Sequence, residues 1–113
     1  MTNERPVDLK EFYPSDLFGY AEGLTNGELT VLKAVREALE KHVKPVINEY
    51  WEKAQFPFEA FAEVAKTGMM DSPLLFEGRE GSRKPSELYN VFLYFELAKM
   101  DASIATFYTV HGG

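Results

Sequence analysis

The sequence predicts an all-α fold of four to five helices. Apolar residues recur at intervals of three and four from Leu29 to Tyr50, a spacing that places them along one face of a helix. Apolar residues also cover almost every side of the segment from Leu88 to Met100, as is typical of a helix surrounded by protein. No segment makes a convincing strand, so we predict that helices and loops account for the whole fold.

The first long helix is predicted to begin at Thr25. Thr25 and Glu28 have the spacing of a capping box, in which a hydroxyl and a carboxylate satisfy free N–H groups at a helix start. Pro45 should kink this helix, because proline lacks a backbone donor and clashes with the preceding turn. The opposite face is expected to be charged and solvated; its residues are Lys33, Arg36, Glu37, Glu40, Lys41 and Lys44.

The next helix is predicted over residues 56–68. Pro57 suits the first helical position, where no backbone donor is needed, and Gly68 should end the helix in a left-handed conformation. Residues 71–84 are expected to be a plain connecting loop. The stretch from Gly78 to Gly81 has neither the Lys-Ser/Thr ending nor the preceding strand of a phosphate-binding loop.

Two further helices are predicted after this loop. Pro85, Ser86 and Glu87 should begin the first, and Asp101 should end it and cap the second by accepting from its free N–H groups. An aromatic stripe at helical spacing is expected to lie in the core; its residues are Tyr89, Phe92, Tyr94 and Phe95. Upstream of the first helix, apolar side chains should pack as a strap against the body; these are Phe12, Tyr13, Leu17, Phe18 and Tyr20.

The composition excludes several classes of function. The chain has 113 residues, enough for one domain, and its net charge of −6 argues against a nucleic-acid or anionic-membrane surface. It has no cysteine, and neither His42 nor His111 lies in a Glu-x-x-His motif, so we expect no disulfide and no metal site. His42 is expected at the surface, and His111 either near a helix C-terminus or near the ligand site of a complete protein. The N-terminus lacks a secretory signal and no segment could span a membrane, so we predict a cytoplasmic protein.

The order of segments in the chain resembles a known family. Residues 35–57 are followed by Glu96, Leu97 and Ala98, then by the Met-Asp-Ala-Ser at residues 100–103, then by Val-His-Gly-Gly at 110–113. Over residues 24–113 this series resembles the N-terminal helical domain of the acyl-CoA dehydrogenases. Residues 48–54 and 100–103 most resemble the branch of glutaryl-CoA dehydrogenase and short-chain acyl-CoA oxidase.

The resemblance implies a function that needs more chain than these residues. It implies an FAD-dependent parent enzyme that dehydrogenates an acyl-CoA thioester, in which the catalytic glutamate and nearly all flavin contacts lie in later domains. We therefore expect residues 1–23 to be a strap and residues 24–113 to be a piece of a larger protein, without catalytic, cofactor-binding or metal-binding residues of its own. The implied partners are acyl-CoA, the remaining domains, a second copy in a homo-oligomer, and either an electron-transfer flavoprotein or oxygen as acceptor.

The last predicted helix carries the candidate site. Its small residues Ala102, Ala105, Thr106 and Thr109 recur at three- and four-residue spacing. Such a stripe indicates either close helix packing or the wall of a cavity, and the resemblance implies the wall of the acyl pocket. Glutaryl-specific relatives place an acid and an arginine where this chain has Ala98 and Ala105, so we expect a neutral acyl group. The alternative from another class of protein is a freestanding helical interaction module without enzymatic activity.

Overall fold

The computed structural model describes residues 5–79, 81–82 and 84–111, without the side chains of residue 107 and residues 109–111. These residues form six α-helices and no strand, as predicted for an all-α fold. The helices are α1 (Leu9–Phe12), α2 (Asn26–Ala38), α3 (Ile47–Glu52), α4 (Phe58–Ala65), α5 (Glu87–Met100) and α6 (Ala102–His111). The number exceeds the predicted four to five because α1 is a single turn and the kinked first helix is divided into α2 and α3.

The core lies where α2 meets α5 and α4, with α6 packed against α5. Its largest fully buried apolar side chains come from α2, α5, α6 and the turns between them: Leu24, Leu29, Leu32, Leu39, Leu75, Tyr89, Leu93, Leu97 and Ile104. Burial of this apolar surface, at roughly 25 cal/mol per Å², is the main stabilising contribution to the fold.

The start of α2 is the predicted capping box. The Thr25 hydroxyl accepts from the Glu28 N–H at 3.0 Å, and the Glu28 carboxylate accepts from the Thr25 N–H at 2.9 Å. The second carboxylate oxygen of Glu28 accepts from the Ser86 hydroxyl at 2.6 Å, and that hydroxyl accepts from the Tyr89 N–H to cap α5. The starts of α2 and α5 are therefore joined side by side, although 58 residues separate Glu28 from Ser86.

The helix breaks where the sequence predicts a kink. After α2 the chain makes one π-helical turn, Leu39–Val43, in which the Lys44 N–H donates to the Leu39 carbonyl at 2.9 Å. Pro45 follows, and α3 begins at Ile47. The wider turn and the missing proline donor together change the direction of the chain between α2 and α3.

The segment from α4 to α5 matches the prediction only in part. Pro57 lies one residue before α4 rather than at its first position, and Gly68 has the expected left-handed backbone, with φ of 82°. The predicted plain loop contains a 3₁₀ turn, Pro73–Phe76, whose Leu75 is buried. This turn lies so close to the start of α2 that a Cβ atom at Gly27 would collide with the Leu74 carbonyl.

Two groups of aromatic side chains are less buried than predicted. In the strap, Tyr13 is buried, but Leu17 and Phe18 are 87% and 81% exposed, and Tyr20 is exposed too. On α5, Tyr89 and Phe92 are core residues, whereas the prediction is wrong for Tyr94 and Phe95, which are exposed together with Val91. The reason is that α2 and α6 cover one side of α5 and leave its outer side open.

Candidate functional site

The junction between α5 and α6 is built on Asp101. Its backbone is extended, with φ of −170° and ψ of 130°, so the helical path is interrupted at this residue. One oxygen of its carboxylate, Oδ1, accepts from the Ser103 N–H at 2.7 Å. The predicted capping of the last helix is therefore confirmed: a carboxylate satisfies a free donor in the first turn of α6.

The other carboxylate oxygen of Asp101 binds a residue that sequence reasoning did not single out. Trp51, on α3, donates its indole N–H to Asp101 Oδ2 at 2.7 Å. The Trp51 ring is half-buried and lies against Phe56, with 6.3 Å between the ring centroids. Nothing in the local pattern of either residue indicates this contact, because 50 residues separate them.

The predicted pocket residues lie on α6, but they do not share one environment. Ala102 and Thr106 are exposed, and the Thr106 hydroxyl donates to the Ala102 carbonyl at 3.0 Å. Ala105 is fully buried, next to the equally buried Ile104. The side chain of Thr109 lies outside the part of the chain that the structure describes. The exposed side of α6 thus carries small residues, while Ala105 sets how closely the helix approaches the core.

Alanine occupies the two positions on which the prediction of a neutral acyl group depends, and that prediction stays a prediction. Ala98 is half-buried near the C-terminal end of α5, and Ala105 faces the core. Neither side chain offers a charged partner for a distal carboxylate. The prediction that α6 forms a pocket wall stays a prediction.

A buried ion pair joins α2 to α5. Arg36 donates from Nε and Nη2 to the two carboxylate oxygens of Glu96 at 2.8 and 2.7 Å, and Nη2 also donates to the Phe12 carbonyl. The Glu96 side chain is only 2% exposed and that of Arg36 is 21% exposed. The prediction that Arg36 belongs to a solvated face is wrong, because the nearby buried carboxylate draws the guanidinium inward.

Burial and charge shift the pKa values of several groups. Partial burial by itself lowers the pKa of Arg36, but the hydrogen bond and charge of Glu96 outweigh it, so the pKa is raised overall. Burial raises the pKa of the Tyr13 phenol, and the charge of Glu96 raises it further. Burial likewise raises the pKa values of Tyr89 and Tyr108. The Tyr89 hydroxyl donates to the Met69 carbonyl, whereas the buried Tyr13 hydroxyl has no hydrogen-bond partner among the described residues.

The histidines and acids do not form a metal centre within the described ranges. No group of three or more His, Cys, Asp or Glu side chains converges there. His42 is half-buried in the π-helical turn rather than fully at the surface. His111 is the last residue of α6, as the prediction of a position near a helix C-terminus requires, but its side chain lies outside the described residues. Among the described helices, none is long and apolar enough to cross a membrane.

The described residues define a helical domain in which Asp101 joins α5 to α6. The family model for the acyl-CoA dehydrogenase N-terminal domain matches residues 25–113, and the chain therefore belongs to this family. No curated protein sequence matches the chain, and no solved structure does. The assignment to the branch of glutaryl-CoA dehydrogenase and short-chain acyl-CoA oxidase stays a prediction.

Proposed function

We propose that this chain is the N-terminal helical domain of an FAD-dependent acyl-CoA dehydrogenase of that branch, and that α6 forms one wall of the acyl pocket. The match of the family model over residues 25–113 carries the proposal. The reaction removes one hydrogen each from Cα and Cβ of an acyl-CoA thioester. A bound flavin would supply the hydride acceptor, and the resemblance implies that a glutamate in a later domain would take the α-proton.

The small exposed residues of α6 support the pocket role. Ala102 and Thr106 leave space beside the helix, and the Thr106 hydroxyl is already satisfied by a backbone carbonyl. Such a surface can lie against an alkyl chain without leaving an unpaired polar group. With alanine at positions 98 and 105, the wall suits a neutral acyl group rather than a dicarboxylic one.

The open side of α5 supports a role as part of a larger enzyme. Val91, Tyr94 and Phe95 are 49%, 43% and 52% exposed on one side of the helix. An apolar patch of this kind marks a contact surface in soluble proteins. We propose that the remaining domains cover it, within a homo-oligomer whose electron acceptor is an electron-transfer flavoprotein or oxygen.

The described residues do not fit a flavin diphosphate at the glycine loop. The helix that follows Gly78 and Gly81 is α5, and its start is already capped by the Ser86 hydroxyl. The Glu28 carboxylate lies 2.6 Å from that hydroxyl, so a phosphate there would meet a negative charge. We therefore expect the other domains to hold FAD, and the isolated 113-residue chain to be helical by circular dichroism but unable to bind the flavin.

The pocket is tested by filling it. In the full-length enzyme, Thr106→Phe should exclude long acyl chains and spare short ones. One methylene in an apolar pocket contributes roughly 1–3 kcal/mol, so the ratio of kcat/KM between long and short substrates should change tenfold or more. Ser103→Phe is the matched control, because Ser103 is exposed on α6 but lies outside the stripe.

Close packing of α6 predicts a different result for the same variant. Overpacking a helix contact costs roughly 1–3 kcal/mol, which would lower Tm and reduce kcat/KM on all acyl lengths alike. That result would remove α6 from the pocket. If the wild-type enzyme shows no acyl-CoA dehydrogenation on any chain length, the proposed function is wrong.

A further inference from the structure

Asp101 connects three parts of the fold with one side chain. Its backbone ends α5, its Oδ1 caps α6, and its Oδ2 accepts from Trp51 on α3, each hydrogen bond being 2.7 Å long. A serine or threonine would be enough for the cap, because capping needs only one oxygen. The second carboxylate oxygen is what allows Asp101 to bind the indole as well.

The backbone at this junction interrupts the helical path between α5 and α6. Asp101 is extended, so the regular ladder of helical hydrogen bonds does not run from α5 into α6. The Ile104 N–H bonds back to the Asp101 carbonyl at 3.0 Å, which begins α6 but does not relate it to α3. Burial of Ile104 and Ala105 holds α6 against α5, and the indole adds a contact that relates α6 to α3.

Trp51 is itself held in place. Ala54, three residues later, has a left-handed backbone with φ of 52°, a conformation that is strained for a non-glycine residue. This turn brings Phe56 against the indole, and Phe56 in turn packs on Phe58 and Phe61, with ring centroids 4.9 and 5.9 Å away. The indole that donates to the Asp101 carboxylate is therefore packed against a cluster of aromatic rings.

We propose that Trp51 is a positioning residue, which sets the orientation of α6 through the Asp101 carboxylate and thereby the shape of the acyl pocket wall. The pocket part of this inference rests on the proposed function. The orientation part does not, since it concerns only the 113-residue chain.

The orientation is tested by a distance measurement between α2 and α6. The chain has no cysteine, so spin labels attached at Lys33→Cys and Thr106→Cys, both exposed positions, report only these two sites. Trp51→Phe keeps an aromatic ring and removes the N–H donor. It should shift or broaden the distance distribution, and Asp101→Ser, which keeps a cap and removes the second oxygen, should do the same.

A double-mutant cycle separates loss of the Trp51–Asp101 hydrogen bond from a general loosening of the fold. If both residues act through one hydrogen bond, the double variant should change the distance no more than either single variant. Tyr50→Phe is the matched control: it removes a hydroxyl from the neighbouring aromatic residue of α3 and leaves the indole with its packing on Phe56, so the distance distribution should be retained. A distance distribution unchanged by Trp51→Phe would overturn the inference.

Two further measurements give independent signals. A hydrogen bond to a charged group contributes roughly 1.5–3 kcal/mol, so amides in the first turns of α6 should exchange about tenfold faster or more in Trp51→Phe. Trp51 is the single tryptophan of the chain, and its emission should change in Asp101→Ser because the indole loses its acceptor. Unchanged amide exchange and unchanged tryptophan emission would contradict the proposed role of the Trp51–Asp101 hydrogen bond.

An activity assay separates this inference from the proposed function. In the full-length enzyme, Trp51→Phe should change the ratio of kcat/KM between long and short acyl-CoA substrates, while Tyr50→Phe should leave the ratio unchanged. A displaced α6 with an unchanged ratio would overturn the pocket role of Trp51 and leave the proposed function standing. A wild-type enzyme inactive on all acyl-CoA substrates would overturn the proposed function, whereas the distance result on the chain would still hold.

Discussion

Arg36 on α2 holds the buried carboxylate of Glu96 on α5 through two hydrogen bonds, 2.8 and 2.7 Å long. The guanidinium also lies over the Phe12 ring, 3.5 Å from its centroid, and donates to the Phe12 carbonyl. One arginine therefore joins the two central helices and attaches the strap to them. A paired charge of this kind is costly to break, because the remaining carboxylate has no access to water.

We expect Arg36→Met to destabilise the fold by about 3 kcal/mol, the lower end of the range for breaking a buried ion pair. The lower end applies because the Arg36 side chain is still 21% exposed. Urea unfolding followed by circular dichroism measures the change. Lys66→Met, which breaks the exposed Lys66–Glu63 pair, should leave the midpoint almost unchanged.

The double variant Arg36→Met/Glu96→Leu provides the second half of this test. Replacing both charges by apolar groups removes the uncompensated carboxylate, so the double variant should be more stable than Arg36→Met alone. An equal loss of unfolding free energy in the two variants would show that Arg36 stabilises the fold by packing on Phe12 rather than through its charge.

Ser86 should tolerate alanine better than aspartate, although aspartate is ordinarily a good helix cap. Ser86→Ala removes the cap of α5 and one partner of Glu28, at a cost of about 1 kcal/mol. Ser86→Asp restores an acceptor but places a second carboxylate beside the buried one, so its unfolding midpoint should be lower still. Adding Glu28→Gln to Ser86→Asp should recover stability, because the glutamine amide can donate to the new aspartate. No recovery would argue against the hydrogen bond that links the starts of α2 and α5.

Ala54→Gly should stabilise the protein. The left-handed backbone of Ala54 is strained for any residue with a Cβ, and glycine relieves roughly 1 kcal/mol of that strain. Ala62→Gly, at an exposed position within α4, is the matched control, and it should lower the free energy of unfolding by about 1 kcal/mol. Thermal unfolding of both variants checks the opposite signs, and a loss in Ala54→Gly would show that the turn is not strained.

Alkaline pH should unfold the protein by ionising its buried tyrosines. Tyr89 is fully buried and donates to the Met69 carbonyl, and burial raises its pKa above the ordinary value of about 10. A raised pKa in the folded state means that stability is fully present below pH 10 and falls above it. Absorbance at the phenolate band, with urea midpoints measured across this range, tests the sign.

Tyr89→Phe separates this effect from general alkaline damage. The variant should be less stable at neutral pH, because the Met69 carbonyl loses its donor, by about 1 kcal/mol or more. Its stability should also decline less steeply above pH 10 than that of the wild type. An equally steep decline would assign the alkaline transition to another group, with Tyr13 the first candidate because its pKa is raised as well.

Features that depend on residues close together in the chain could be predicted from the sequence. The capping box of Thr25 and Glu28, the break at Pro45, the left-handed Gly68 and the cap at Asp101 are all present as predicted. Each follows from backbone donors and acceptors within about one helical turn, so their geometry is nearly independent of the rest of the fold. The helical class follows from the same local rules together with the apolar spacing.

Which helix faces meet could not be predicted from the sequence. The partners of Arg36 and Trp51 lie 60 and 50 residues away, and no local pattern encodes these distances. The same is true of the aromatic stripe on α5, where a spacing that predicts burial leaves Tyr94 and Phe95 exposed, and of Ala105, which turns toward the core. Periodicity identifies the faces of a helix, but the neighbour that covers each face depends on how all the helices pack.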